Sequence, residues 1–441
     1  MGSRLLSQNG KKLALNEKLR RQEWLKSLRK PALAALMSEW PTAAVGTHVT
    51  QRVDKVAISP GSEYDTMGVR WYGKGAYLRP PSRPKTTKLN VAHEGDFVFC
   101  RIDVQNGPFA VVPPDLDGAL VTNEFPLYAV DGDVLDAQFL ALCFASQGAL
   151  DQIGKKRDGR DGRARWKEHD FEAWRIPLPP LDVQGRTVEV MGAVDATVTA
   201  LEAEVSAART ARAALVDQLL VDLGEEVTDY VMDDVADWTS GGTPKADNPA
   251  FYSGEIPWAI IGDVRGRYVG ETTRRITKAG LDAIGGERKL VQPGAVLVTM
   301  YGTIGRSAIT TVPTATNQAI ARGVPNELVT AEYLRLWISA READLVKLGE
   351  GKTQQNISKA KILQFPIKVP KPESQKRVVD IMTTVDDQID SLERELASMA
   401  GARAALLDSL LTREIEVVLP GSDEVDEEEI TQGLPTDRWL G

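Results

Sequence analysis

Apolar positions in two stretches of the chain follow a seven-residue rhythm. In the first, Val194, Val198, Leu201, Val205, Ala208, Leu215 and Leu219 fall at steps of four and three, with Arg212 interrupting the stripe. In the second, Val385, Ile389, Leu392, Leu396, Met399, Leu406 and Leu410 do the same, with Arg403 interrupting. Such spacing puts every apolar residue on one side of a helix and predicts a left-handed seam between paired helices.

The two stripes belong to a longer repeat. Segments 184–220 and 375–411 align without a gap at a constant offset of 191 positions, matching Gln184 with Gln375, Arg186 with Arg377, Met191 with Met382, Asp195 with Asp386 and Glu202 with Glu393. A chance helix-to-helix similarity would not keep one register over 37 residues, so the pattern is read as a duplication. Over that length, at about 1.5 Å per residue, each helix is roughly 55 Å long.

Weaker parallels lie upstream. Glu94-Gly-Asp-Phe-Val-Phe-Cys-Arg matches Pro293-Gly-Ala-Val-Leu-Val-Thr-Met, Val121-Thr-Asn-Glu matches Ala315-Thr-Asn-Gln, and Ala137-Gln-Phe-Leu matches Ala331-Glu-Tyr-Leu. Short β-branched and aromatic runs punctuated by Gly and Pro predict strands and turns. Asp136 to Asp151 and Ala331 to Leu348 predict helices, and the proline-rich runs from Ile176 and Phe365 separate each globule from its long helix. The predicted order is a basic helical segment (1–39, with helices at Asn16–Leu28 and from Pro31), a globule (40–179), a long helix (180–223), a second globule (224–370), a second long helix (371–413) and a tail (414–441). The fold class expected is α+β: two mixed domains joined by two long antiparallel coiled-coil helices, a pseudo-twofold internal repeat.

At 441 residues, more than one core is expected. Hydrophobic residues at 42% and charged residues at 26% are ordinary for a soluble globular protein. No apolar run approaches the about 20 residues of a membrane helix, and the basic N-terminal stretch lacks the apolar core of a secretory signal. Two cysteines argue against a disulfide framework and for a reducing cytoplasm. His48, His93 and His169 lie far apart, so no metal is expected.

Charge changes meaning once mapped. The net −9 is concentrated in Glu414–Gly441, which has nine acidic residues and one basic residue, Arg438. Elsewhere Arg4–Lys30 holds nine basic and two acidic side chains, and Lys155–Lys167 holds seven basic and two acidic. Contact with a phosphate backbone needs local patches of this kind, not a high overall pI.

A set of ordered fragments then carries a resemblance. Trp238-Thr-Ser-Gly-Gly-Thr-Pro-Lys opens the second globule, followed by Asn248-Pro-Ala-Phe-Tyr-Ser-Gly-Glu-Ile-Pro-Trp258 and Ile261-Gly-Asp263. Tyr301-Gly-Thr-Ile-Gly-Arg306, Ala315-Thr-Asn-Gln-Ala-Ile320 and Lys352-Thr-Gln-Gln-Asn-Ile-Ser358 follow before the Gln375 helix. In this order they resemble the target-recognition domain and following helix of type I restriction–modification specificity subunits. The first globule resembles another subtype of that domain through Met67-Gly-Val-Arg-Trp-Tyr-Gly-Lys-Gly75 and Glu94-Gly-Asp-Phe. The resemblance covers about residues 40 to 412. It implies a non-catalytic, cytoplasmic subunit in which each globule reads one half of a split, asymmetric site on double-stranded DNA. It also implies that the helices space the globules and dock two DNA adenine methyltransferase subunits, sometimes with nuclease/translocase subunits. No cofactor is then expected on this chain; S-adenosylmethionine and ATP belong to the partners. No membrane role is implied. The competing reading is a coiled-coil adaptor that never reads sequence.

Within that reading the DNA-binding candidates are Lys155, Lys156, Arg157, Arg160, Arg163, Arg165 and Lys167 in a Gly-rich loop, which could equally be a solvated charged loop. Arg265, Arg267, Arg274 and Arg275 are further candidates, with Lys352, Gln354, Gln355 and Asn356, whose amides suit adenine edges. Because that last motif recurs across family specificities, the resemblance implies a fold-maintaining role for it ahead of base contact. The helix-docking candidates are Val194, Val198, Leu201, Val205, Leu215, Val385, Ile389, Leu392, Leu396 and Leu406, while Arg212 and Arg403 read as snorkelling stems or register devices rather than DNA contacts.

Catalytic alternatives fail on spacing. Gly68-Val-Arg-Trp-Tyr-Gly-Lys-Gly75 is one residue from a phosphate loop, but Gly75 replaces the hydroxyl residue that holds magnesium. Asn248-Pro-Ala-Phe251 departs at Ala250 from the Asn-Pro-Pro-Phe of amino-group DNA methyltransferases, and no glycine-rich cofactor loop precedes it.

Overall fold

Two glutamines explain how each globule meets its helix. In the computed structural model, which describes residues 40–156, 165–221, 226–349, 356–415 and 417, Gln184 is fully buried at the start of a helix spanning Leu181–Val221. Its amide donates to the carbonyls of Val134 (3.0 Å) and Pro179 (2.8 Å), and its oxygen accepts from the Asp136 amide at 2.8 Å. Gln375 repeats this at the start of Pro372–Leu411, donating to Leu328 (2.8 Å) and Pro370 (3.0 Å) and accepting from Thr330 at 3.1 Å. Asp136 and Thr330 each also cap the next helix with their side chains. The polar residue that seemed only to mark the repeat is thus a duplicated clamp, with both ends of the amide satisfied inside the protein.

By contacts the chain divides into residues 1–200 with 396–441, and residues 201–395. The division cuts through both long helices. The predicted helices at Asn16–Leu28 and Pro31, and nearly all of the acidic tail, lie outside the described residues.

The first unit is built on an antiparallel sheet ordered Val49–Arg52, Leu127–Val130, Phe97–Phe99, Phe109–Val111. One face packs aromatic residues: Phe97, Phe99, Phe109, Tyr128, Phe144, Trp166 and Phe171 are almost wholly buried, with Phe97 and Phe171 stacked at 5.3 Å. The other face covers a smaller core around Met67, Val98, Val112 and Leu127. The predicted helix at Asp136–Asp151 is two, Ala137–Ala145 and Gln147–Lys156, broken at extended Ser146. Thr42–Ala44 pairs antiparallel with Arg175–Pro177, bringing the globule's two ends together where the long helix starts.

The second unit has a five-stranded sheet ordered Ala236–Ser240, Ile320–Pro325, Val296–Thr299, Ser307–Thr310, Tyr268–Val269. A three-stranded sheet is built on Tyr252–Ala259. The helix predicted at Ala331–Leu348 again divides, into Ala331–Ala340 and Glu342–Lys347. Val227–Val231 pairs antiparallel with Pro366–Pro370, the counterpart of the strand pair in the first unit. The turns Glu94-Gly95 and Pro293-Gly294 precede equivalent strands, each with its glycine at positive φ (80° and 93°), a conformation glycine adopts without steric cost.

The long helices meet within each unit. In the first, Val190, Met191, Leu407 and Leu410 form one buried cluster, and Arg403 is hydrogen-bonded to Asp195 through Nε and, at 2.9 Å, Nη2. In the second, Val216, Leu220, Val378 and Met382 enter the main core, Arg212 is bonded to Asp386 through Nε and, at 3.2 Å, Nη2, and Arg209 reaches Glu393 at 2.7 Å. Rising numbers on one helix meet falling numbers on the other, the antiparallel sense. Val194, Leu201, Val205 and Ile389 are buried, whereas Val198, Leu215, Val385, Leu392, Leu396 and Leu406 are half-buried. Towards each C-terminus the buried positions move one residue on, to Val216 and Leu407, as expected when a 3.6-residue helix drifts against a heptad register.

Candidate nucleic-acid interface

In the first unit the Gly-rich basic stretch leaves the helix Gln147–Lys156, where Lys155 is exposed, and returns at Arg165. Arg165 bridges to Ile102 by backbone and donates to Glu124 at 2.6 Å. Trp166 follows it into the aromatic core, against Phe99 at 5.4 Å, and Lys167 is the N-cap of the short helix Glu168–Glu172. The returning end is therefore fixed to the core. The Lys156 side chain and all of Arg157, Arg160 and Arg163 lie outside the described residues.

In the second unit the candidates divide by environment. Arg265 and Arg274 are exposed and their guanidinium groups have no partner among the described residues. Arg275 is exposed and donates to the Glu255 carbonyl at 2.5 Å. Arg267 instead turns onto the second long helix, bonded to Asp387 (2.5 Å) and Asp390 (3.0 Å). Burial opposes its charge, but the Asp387 hydrogen bond and the surrounding carboxylates outweigh burial and raise its pKa. Asn356 is exposed and bridges to Tyr301 by backbone; Lys352, Gln354 and Gln355 lie outside the described residues.

The structure brings Arg265 and Arg267 together with arginines that sequence reasoning did not single out for DNA contact. A cleft of about 410 Å³ is lined by Arg209, Arg212, Arg265, Arg267, Arg306 and Arg335, against Asp386, Asp390 and Glu342. Arg335 is largely buried, which lowers its pKa, and Asp386 at 3.9 Å is its nearest ion-pair partner. These arginines come from well-separated segments, so no spacing in the sequence announces them.

A second cationic cluster underlies the Gly-Gly-Thr-Pro turn. Arg322 is fully buried and donates to the carbonyls of Lys289 (2.5 Å) and Ser240 (2.9 Å). Lys289 reaches the same Ser240 carbonyl at 2.7 Å, and Lys359 that of Trp238 at 3.1 Å. Burial lowers the pKa of Lys289 and Arg322, and the charges of Arg322, Arg288 and Lys359 lower that of Lys289 further. The turn is glycine for lack of space: a Cβ on Gly241 would stand 2.1 Å from the Thr316 carbonyl oxygen.

The hairpin over 67–78 is not the strand-to-helix turn of a phosphate loop, and Asn248 caps the short turn Pro249–Phe251 by accepting from the Ala250 amide. Among the described residues there is no group of three His, Cys, Asp or Glu able to hold a metal, and no helix long and apolar enough to cross a membrane.

Comparison with known proteins bears on this arrangement. The family model for the type I restriction modification DNA specificity domain matches residues 224–399. The chain is 24% identical over 250 residues to the type I restriction enzyme EcoR124I/EcoR124II specificity subunit of Escherichia coli, covering 54% of this chain and 61% of that protein. It is 26% identical over 409 residues to the HindI specificity subunit of Haemophilus influenzae, covering 73% of this chain and 87% of that protein. Among solved structures, the type I restriction-modification S subunit from M. genitalium superposes with a TM-score of 0.51 at 13% identity, covering 88% of this chain and 99% of that one. That likeness is one of fold. Residues 224–399 are thus similar in sequence to the type I restriction modification DNA specificity domain.

Proposed function

We propose that this chain is the DNA-binding specificity subunit of a type I restriction–modification complex, and is not itself an enzyme. The observation that carries the proposal is the duplicated plan: two mixed units, the second matching the family domain, each passing through the same glutamine clamp into a long helix. Each unit reads one half of a bipartite, asymmetric site on double-stranded DNA, and the helices form an antiparallel coiled coil with pseudo-twofold symmetry that spaces the units. Methyltransferase subunits, two per chain, dock on that coil, with nuclease/translocase subunits joining in some assemblies. S-adenosylmethionine and ATP act on the partners, in the cytoplasm.

The reciprocal ion pairs support this reading. Asp195 and Asp386 are equivalent positions of the repeat, as are Arg212 and Arg403, so Arg212–Asp386 and Arg403–Asp195 are one contact made twice. That is the pattern an isologous dimer interface gives when its halves are joined in one chain.

The test is methylome sequencing of cells expressing the chain with its methyltransferase, against cells with the methyltransferase alone. A split, adenine-methylated motif that appears only with this chain supports the proposal. No new motif, with the two proteins shown to associate, favours the coiled-coil adaptor.

A further inference from the structure

The stretch 67–90 holds Arg70, Lys74, Arg79, Arg83, Lys85 and Lys88 and no acidic residue. It opens with the hairpin Met67–Val69 and Ala76–Leu78, closed by a turn whose backbone is unusual. Tyr72, a non-glycine residue, sits at φ 61°, followed by Gly73 at 65° and Gly75 at 79°. A bulky residue in the left-handed region costs energy and persists only where its surroundings hold it. Here the holders are backbone bonds, from Tyr72 N to the Asn106 carbonyl (2.7 Å), Gly73 N to Gly107 (2.9 Å) and Arg70 N to Gly75 (2.9 Å). None of them uses the Tyr72 ring.

The strain therefore leaves the rings in solvent. Trp71 is 50% exposed and Tyr72 is 69% exposed, their rings edge-to-face at 6.3 Å. At the hairpin base Arg70 lies 4.5 Å over the Tyr77 ring and donates to the Ala76 carbonyl at 3.1 Å, which stiffens the turn. Two exposed aromatic rings on an anchored turn, within a run of cations of which Arg83 is paired with Glu63 at 2.8 Å, match a polyanion that also presents base edges and thymine methyl groups.

We propose that the turn Arg70–Gly75 reads bases for the first unit, Trp71 and Tyr72 lying against base edges in a duplex DNA groove while the flanking cations face phosphates. The inference rests on the specificity-subunit reading and names residues for one half-site.

The experiment uses the full chain with its methyltransferase, comparing wild type, Trp71→Ala and Tyr72→Gly. Methylomes, binding to cognate and scrambled duplexes, and thermal midpoints are measured together. Trp71→Ala should weaken cognate binding on the order of tenfold, spare scrambled binding and relax one half of the motif. Tyr72→Gly should also lose cognate affinity while keeping or raising the thermal midpoint, because glycine adopts φ 61° freely; a ring with only a structural role would not separate the two readouts. Equal losses on cognate and scrambled DNA would overturn base reading, as would unchanged affinity, or lost methyltransferase association with DNA binding intact. If wild type gives no motif, the specificity reading fails and this inference with it. If wild type gives a split motif that both variants keep, only this inference fails.

Discussion

The two reciprocal ion pairs occupy equivalent repeat positions but unequal surroundings, so deleting their arginines should not be equally harmful. The Arg212 side chain is 22% exposed and that of Asp386 10%; for Arg403 and Asp195 the figures are 24% and 44%. Removing Arg212 strands a nearly buried carboxylate, a change that costs about 3–5 kcal/mol when no other charge compensates. Arg335, 3.9 Å from Asp386, compensates in part, which brings the expectation to about 2–3 kcal/mol. Removing Arg403 leaves Asp195 free to hydrate, and pairs so exposed are worth about 0.2–1 kcal/mol. Hydrogen exchange resolves the units: Arg212→Ala should speed exchange in peptides from 201–221 and 372–395 on the order of thirtyfold or more, while Arg403→Ala should change those from 181–200 and 396–411 only a few-fold. The double variant Arg212→Ala/Asp386→Ala should recover only part of the loss, because largely buried Arg335 then loses its carboxylate. Equal acceleration by the two single arginine variants would refute the burial argument.

Replacing Gln184 or Gln375 by Leu strands two carbonyls and one amide; at about 1–3 kcal/mol for each unsatisfied group, either change should lower the thermal midpoint by several degrees, and both should do so alike. Burial raises the Cys143 thiol above its ordinary 9.0, so the folded state holds that proton where the unfolded chain releases it. Stability from this group is full below pH 9 and is lost as pH rises beyond it; urea midpoints measured up the alkaline range should fall, and the slope should flatten in Cys143→Ala. Arg274→Ala should reduce the salt dependence of DNA binding by about one counterion, whereas Arg267→Ala should leave that slope unchanged and instead destabilise the second unit, whose long helix it holds through Asp387 and Asp390.

Much of the scaffold was legible because duplication and periodicity are read along the chain. The gapless offset found both long helices, and the Gly95 and Gly294 turns emerged from the weaker parallels. Two kinds of information were not legible. A one-residue break such as Ser146 or Arg341 leaves hydrophobic spacing almost unchanged, so one helix was expected where two exist. The arginine cleft is tertiary, its members from Arg209 to Asp390 meeting only after folding. The aromatic turn was legible in part: six cations without a carboxylate could be counted, but the exposed rings and positive φ of Tyr72 belong to the three-dimensional turn.

The elements that recur in both units and those that do not separate two tasks. Recurring are the closing strand pair, the capped helix after the sheet, the glutamine clamp and the arginine–aspartate pair, all bonded within the protein. Not recurring are the exposed chemistries: a strained aromatic turn with its cations in the first unit, exposed Arg265 and Arg274 in the second. Side chains satisfied by their own unit have little left to offer a ligand, whereas exposed rings and unpartnered guanidinium groups keep theirs. A chain that holds its scaffold constant and varies its exposed chemistry is suited to recognising two different sequences from two similar platforms. On that argument, exchanging residues 40–175 for another recognition domain should replace one half of the methylated motif and leave the other half unchanged; a change in both halves would show that the units do not read independently.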